Sequence, residues 1–215
     1  MNKKEPIVFF DFDNTITAFD VLDRIIERFS VNNDWMAFEE AWKAGKIGSK
    51  ECLEGQLKSA HVTRPVLSQY LSTVEIDPFF PKILHLLKKK GIKSMIVSDS
   101  FSFFITEILR HNRIHGQKVY ANKISFNRDK LIPSFPFASE DCSRCAHCKK
   151  IHIFERAEKM TIYVGDGLSD ICPAEHADLV FAKEALLKYF RASRRPCIEF
   201  KDLEDVYATL LSSCP

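Results

Sequence analysis

Short apolar runs cut off by polar residues recur along the chain. Ile7-Val8-Phe9-Phe10 stops at Asp11, Lys93-Ser94-Met95-Ile96-Val97 at Ser98, Thr161-Ile162-Tyr163-Val164 at Gly165, and Leu179-Val180-Phe181 follows Asp178. Each has the length and composition of a buried strand. Between them lie helical patterns, at Phe79–Lys90 with Gly91 as its stop, Phe103–Asn112 and Lys149–Glu158. Strands alternating with helices predict an α/β fold with a parallel sheet covered on both faces. Between Thr17 and Asp77 the pattern changes to polar amphipathic helices, at about 20–29, 34–44, 49–58 and 63–72, with no buried strand among them. The expected organisation is therefore a core of residues 1–16 and 78–215 with a helical domain, 17–77, inserted after the first strand. Residues 118–148 are less regular and read as a hairpin and loop, with two short strands, Val119–Asn122 and Ile124–Phe126, then Pro133, Pro136 and three cysteines. A helix at Ala185–Arg191, a strand at Ile198–Phe200 and a helix at Leu203–Leu211 close the pattern.

Composition narrows the classes. With 46% hydrophobic and 28% charged residues in 215, the chain reads as a folded globular protein, and disorder is excluded as its main state. Lys+Arg number 31 against 29 Asp+Glu, a formal charge of +2 that argues against nucleic acid or an acidic membrane as partner. Lys188, Arg191, Arg194 and Arg195 form a local basic cluster, read as a solvated helix end whose cations complement the helix dipole. No apolar run approaches the roughly 20 residues needed to span a bilayer. The apolar run after Lys3 and Lys4 ends at Asp11, too soon for a secretory leader, so the cytosol is the expected compartment. Seven cysteines, an odd number, fit reduced thiols there. There is no G-x-x-x-x-G-K-[ST] loop to support a P-loop kinase or ATPase.

In an open parallel sheet, ligands bind outside the carboxyl ends of the strands. The residues there are Asp11-Phe12-Asp13-Asn14-Thr15, then Ser98-Asp99-Ser100, then Gly165-Asp166-Gly167-Leu168-Ser169-Asp170. Four carboxylates, Asp11, Asp13, Asp166 and Asp170, would crowd together and repel one another unless a cation sits among them. Mg²⁺ prefers oxygen ligands and is usually bound by one or two carboxylates plus a phosphate, which points to a phosphate ester as substrate. A carboxylate beside the metal can attack phosphorus and form an aspartyl-phosphate. A second carboxylate two residues on can protonate the leaving oxygen and later deprotonate water. Asp11 and Asp13 have that spacing. Phosphoryl transfer also needs fixed donors and positive charge. Ser98, with backbone N–H groups after it, supplies donors; Lys149 or its neighbour Lys150 supplies charge.

This ordered set resembles the haloacid dehalogenase superfamily of phosphatases over almost the whole chain. The resemblance implies a Rossmann-like core and makes the inserted helices a small C1 cap. It implies Asp11 as nucleophile, Asp13 as acid/base, Ser98 with Asp99 and Lys149 as the phosphate-binding residues, and Mg²⁺ held by Asp11, the Asp13 backbone carbonyl and Asp166, with Asp170 holding metal-bound water. A second Asp at position 13 speaks for the phosphatases and against the dehalogenase and phosphonatase branches. The stretches Cys142-Ser143-Arg144-Cys145-Ala146-His147-Cys148-Lys149 and Tyr163–Pro173 are similar to two phosphatase branches, those of 2-hydroxy-3-keto-5-methylthiopentenyl-1-phosphate and of phosphoethanolamine/phosphocholine. Their shared cysteine-rich approach to the lysine favours Lys149 over Lys150. Substrate identity should be read in the cap. Asp20 matches the position at which phosphoserine phosphatases carry a carboxylate for the substrate amine; it would equally N-cap the first cap helix. Trp35, Met36 and Trp42 could line a pocket, or simply form the cap's own core.

Cys142, Cys145 and Cys148 have C-x2-C spacing, and with His147 or His152 they could complete a zinc site; reduced thiols in a loop beside the active site are the plainer reading. The expected function is thus hydrolysis of a small phosphorylated metabolite. The same nucleophile would also serve a phosphotransferase that passes the phosphoryl group to an alcohol. The non-enzymatic reading is a zinc-stabilised binding module without turnover, against which the intact motif residues stand.

Overall fold

The four apolar runs become neighbouring strands in a computed structural model that describes residues 4–139, 142 and 144–213. The strands are β1 (Pro6–Phe10), β2 (Lys93–Phe101), β3 (Lys118–Asn127), β4 (Lys130–Ser134), β5 (Met160–Gly165), β6 (Leu179–Ala182) and β7 (Ile198–Glu199), in the order β4-β3-β2-β1-β5-β6-β7. All pairs are parallel except β3–β4. The helices are α1 (Val21–Phe29), α2 (Trp35–Lys43), α3 (Ser49–Ser59), α4 (Arg64–Leu71), α5 (Phe79–Lys89), α6 (Ser102–His111), α7 (Lys150–Phe154), α8 (Ile171–Ala174), α9 (Glu184–Ala192) and α10 (Leu203–Ser213). This is the α/β architecture that the alternation predicts, with the Rossmann-like core that the resemblance implies.

Because side chains alternate across a strand, each central strand feeds two cores. Val8 and Phe10 of β1, with Ile96, Ile162 and Val164, pack into one core with α5, α6 and α10. Ile7 and Phe9, with Met95, Val97 and Tyr163, pack into the other with Leu186, Leu187 and Phe190 of α9. Phe10 meets Phe80 of α5 edge-on, ring centroids 5.4 Å apart, a contact worth about 0.5–1.5 kcal/mol beyond its buried area.

The inserted helices α1–α4 run between β1 and α5, and the two connecting segments lie side by side, bridged at Thr17 and Ile76. Val62 N–H donates to the Asp129 carbonyl at 2.7 Å, and His61 pairs with the Asp129 carboxylate at 3.0 Å, so the insertion rests on the β3–β4 turn. Ser49 N–H at the start of α3 donates to the Arg144 carbonyl in the cysteine loop at 2.9 Å.

Three expectations need correction. The second strand does not stop at Ser98 but continues to Phe101, because the polar Ser98–Ser100 stretch stays in the sheet through a register shift against β3. The two short strands predicted in 119–126 are one strand, whose first half pairs with β2 and whose second half forms a hairpin with β4. Pro133 is accommodated because β4 is an edge strand, where a missing N–H costs no ladder bond. The helix expected over 149–158 is only α7, so Lys149 stands one residue before it.

Candidate active site

β1 lies between β2 and β5, where successive connections leave in opposite directions, and the crevice of such a sheet opens beyond the strand ends at that point. Asp11 N–H donates to the Val164 carbonyl at 2.9 Å, which seats the residue beside the end of β5. The chain then turns tightly: the N–H groups of Thr15, Ile16 and Thr17 all point to the Phe12 carbonyl. Asn14 takes φ 55°, a left-handed conformation that asparagine tolerates better than most residues. The turn returns Thr15 to donate its hydroxyl to Asp166 Oδ1 at 3.0 Å, and Asp13 Oδ1 accepts the Val21 N–H at 2.8 Å, at the first turn of α1.

Lys149 is 2% exposed, and its ammonium has three donors with three acceptors: Asp11 Oδ1 at 2.7 Å, Asp170 Oδ1 at 2.7 Å and Ser169 Oγ at 3.1 Å. Asp170 is completely buried and accepts four bonds. Its Oδ2 takes the N–H groups of Asp166 and Gly167, each at 3.0 Å; its Oδ1 takes Lys149 and the Tyr163 hydroxyl at 2.7 Å. A side chain at Gly165 would place its Cβ 2.6 Å from Asp170 Oδ2, so the glycine is required by close approach. Tyr163, Gly165, Thr15 and Ser169 are site residues that reading strand ends did not single out. Thr15, Gly165 and Ser169 stand inside the motifs at the strand ends without a role read for them, and Tyr163 lies in β5 on the face opposite Ile162.

Electrostatics follow from burial. Burial and the charge of Asp170 push Asp11 well above the usual carboxylate range, against the pull of Lys149. Asp13 is likewise pushed up, by burial and then by Asp20. Asp166 is raised to about 7 by burial and Asp170. Burial opposes the charge of Lys149, yet Asp11 and Asp170 hold its pKa well above the ordinary lysine value. Among the described residues, one group of three His, Cys, Asp or Glu side chains is close enough to share a cation: Asp11, Asp166 and Asp170, with ligand oxygens within 4.8 Å of one another. An all-oxygen set of mutually repelling carboxylates suits a hard divalent ion such as Mg²⁺. The Asp13 carboxylate is not in this group, and Asp170 has its acceptor sites already occupied by protein donors.

A cavity of about 260 Å³ joins these residues to the inserted helices. Asp11, Asp13, Ser98, Asp99, Lys149 and Asp166 line its floor, and Asp20, Asp23, Glu39, Trp42 and Gln56 its helical side. Every predicted site residue except Asp170 lines this cavity, and Lys150 does not. Asp20 accepts the Asp23 N–H at 2.9 Å, so it both caps α1 and faces the cavity. Of Trp35, Met36 and Trp42, Trp42 lines the cavity, Trp35 packs against the core, and Met36 is exposed. An ionised Asp99 side chain would repel a phosphate; burial raises the group to about 6, and its Oδ1 has no hydrogen-bond partner.

The Cys142 and Cys145 thiols hydrogen-bond each other, but among the described residues no further cysteine or histidine joins them in a cation-sized group of three, and His147 and His152 bond to each other at 2.8 Å; Ser143 of that motif lies outside the described residues. In the basic cluster, Arg191 pairs with Glu199 and Arg195 with Glu175.

A mostly parallel sheet carrying carboxylates beyond its strand ends, a serine in β2 and a buried lysine is the arrangement of a hydrolase of phosphoric monoesters. The chain belongs to the Putative Phosphatase family, whose model matches residues 6–187. It is 30% identical over 190 residues to a 2-hydroxy-3-keto-5-methylthiopentenyl-1-phosphate phosphatase of Bacillus pumilus, covering 86% of this chain and 81% of that one. A protein of the same name from Brevibacillus brevis is 27% identical, with 96% of each chain covered. Among solved structures, a phospho-aspartyl intermediate analogue of phosphoserine phosphatase superposes with a TM-score of 0.74, covering 96% of this chain and 99% of that one; at 20% identity the likeness is one of fold. Among the described residues, no helix is long and apolar enough to cross a membrane.

Proposed function

We propose that the chain is a cytosolic, Mg²⁺-dependent phosphomonoesterase that hydrolyses a small phosphorylated metabolite through Asp11, with residues 17–77 acting as a cap domain over a core of 1–16 and 78–215. The observation that carries this reading is the buried Lys149 ammonium, 2.7 Å from both Asp11 and Asp170 at the floor of the cavity. Asp11 attacks phosphorus as the bond to the leaving oxygen breaks, and that oxygen takes its proton from Asp13. Asp13 then takes a proton from water, whose oxygen attacks the aspartyl-phosphate and frees Asp11 and inorganic phosphate. The raised pKa of Asp13 supports its role as acid, and Ser98 with Lys149 would hold the transferred group. Bound Mg²⁺, held by Asp11, the Asp13 carbonyl and Asp166 with Asp170 behind them, would offset the charge between nucleophile and ester.

The helical side of the cavity favours a leaving group bearing an ammonium. Asp20, Asp23 and Glu39 face it, and Asp23 is raised to about 7 by burial and the charges of Asp20 and Glu39, a repulsion that a cation would relieve. This lining suits phosphoethanolamine, phosphocholine or phosphoserine better than the uncharged chain of a methionine-salvage ester. The test is phosphate release from these esters, sugar phosphates and p-nitrophenyl phosphate, with Mg²⁺ and with chelator. Mg²⁺-dependent release led by a cationic ester, with KM for it raised in Asp20→Asn, is the expected result. Release led by an uncharged ester would overturn the cation reading, and none at all the phosphatase mechanism.

A further inference from the structure

His147 and His152 are each 1% exposed and have no part in the chemistry above. The His147 ring stacks on Phe137 with centroids 4.7 Å apart and planes 19° apart; the His152 ring stacks on Tyr120 at 4.0 Å and 24°. Their Nε2 atoms are 2.8 Å apart, and His147 Nδ1 lies 2.9 Å from the Ser98 carbonyl oxygen. A carbonyl only accepts, so Nδ1 of His147 carries the proton. Burial pushes His147 down to about 3 and His152 to about 4, which keeps both rings neutral. A neutral imidazole has one N–H, so His147 Nε2 accepts and His152 Nε2–H donates. His152 Nδ1 is then bare, in agreement with its lack of a partner and with Glu155 standing 3.8 Å away, beyond hydrogen-bond range. One assignment of the four ring nitrogens satisfies every contact.

The anchored carbonyl has a directional consequence. In a trans peptide the C=O and the following N–H point to opposite sides, and the described chain has no cis peptide bonds. Holding the Ser98 carbonyl on His147 therefore turns the Asp99 N–H the other way, at two residues that line the cavity. The β2–β3 register shifts between Val97 and Phe101, so regular pairing with β3 does not hold this peptide. The His147 carbonyl also accepts the Lys149 N–H at 2.9 Å, and one residue thus ties Ser98 of β2 to the backbone from which Lys149 reaches Asp11.

We propose that His147, with its tautomer set by His152, is a positioning residue for phosphate: it fixes the Ser98–Asp99 peptide so that the Asp99 N–H is held toward the transferred group. An acidic residue then serves an anion through its backbone. The inference rests on the phosphatase reading, but binding of inorganic phosphate with Mg²⁺, measured by calorimetry, needs no turnover and separates the two. His147→Leu is expected to weaken phosphate binding and raise KM about tenfold, the worth of one directed buried hydrogen bond, with kcat changed less. His147→Asn, whose side-chain N–H can take the place of Nδ1–H, should recover most of both. In the unaltered protein, imidazole ¹⁵N spectra should show His147 protonated on Nδ1 and His152 on Nε2, a reading that stands even if a variant does not fold. Protonation of His147 on Nε2 overturns the proposal. So does a folded His147→Leu with unchanged phosphate affinity, or a His147→Asn no better than it.

Discussion

Replacing Lys149 by methionine keeps most of the side-chain volume and removes one buried charge. In the structure that charge meets Asp11 and Asp170 at 2.7 Å each, and Ser169 at 3.1 Å. Removing one partner of a buried ion pair costs about 3–5 kcal/mol, because the other is left uncompensated. Asp170 keeps the Tyr163 hydroxyl and two backbone N–H groups, and Asp11 already has a raised pKa and can take up a proton. The loss of stability in metal-free protein should therefore fall near about 3 kcal/mol, at the lower end of that range. The rate should suffer more visibly. A fixed donor aimed at developing charge is worth about 10²–10³ in kcat, or about 2.7–4 kcal/mol. Urea unfolding without metal and steady-state phosphate release measure the two losses. Lys150→Met is the control: Lys150 does not line the cavity, so its activity should be near normal and its stability within about 0.5 kcal/mol. Combining Lys149→Met with Asp170→Asn should cost less stability than the sum of the two, since each leaves the other's charge without a partner. Normal turnover in Lys149→Met, or its loss in Lys150→Met instead, would refute the reasoning.

Asp11→Asn should abolish phosphate release from every ester while leaving the fold intact by circular dichroism, because a neutral amide is no nucleophile. Mg²⁺ at about 100 times its Kd should stabilise the protein by about 2.7 kcal/mol, or about 5–11 °C in Tm for a chain of this size. Asp166, raised to about 7, contributes stability at low pH that is lost as pH rises through 7, so the gain from Mg²⁺ should be larger at pH 8 than at pH 6 in thermal scans. Gly165→Ala should lower kcat/KM about tenfold or more, since its Cβ would displace the Asp170 carboxylate on which Lys149 rests. His147 and His152 have folded pKa values lowered to about 3 and about 4, so the stability they contribute is full above about 6.5, the unfolded value, and is lost as pH falls toward 4. On the order of 2 kcal/mol per histidine should disappear between pH 7 and pH 5, and urea midpoints of His152→Gln should fall less over that interval.

Local pattern marked the central strands and the acidic residues beyond their ends. A short apolar run bounded by a polar or turn residue reports a buried strand without reference to anything distant, and β1, β5 and β6 lie where those runs stand. The acidic residues at the strand ends were legible for the same reason, because a carboxylate just past a buried strand stands out in one dimension. Ser98–Ser100 broke the rule: polar residues ended the run in sequence but not the strand, since a register shift and the Asn122 bond to the Asp99 carbonyl keep the segment in the sheet. Tertiary structure alone decided partnership. Lys149 rather than Lys150 reaches Asp11 across 138 positions, Thr15 reaches Asp166 across 151, and His147 closes on Ser98 across 49. A hydrogen bond is fixed by distance and direction between two atoms, which residue type and short-range spacing do not encode; burial then made each pairing obligatory, because a charge or N–H without a partner there is too costly to leave.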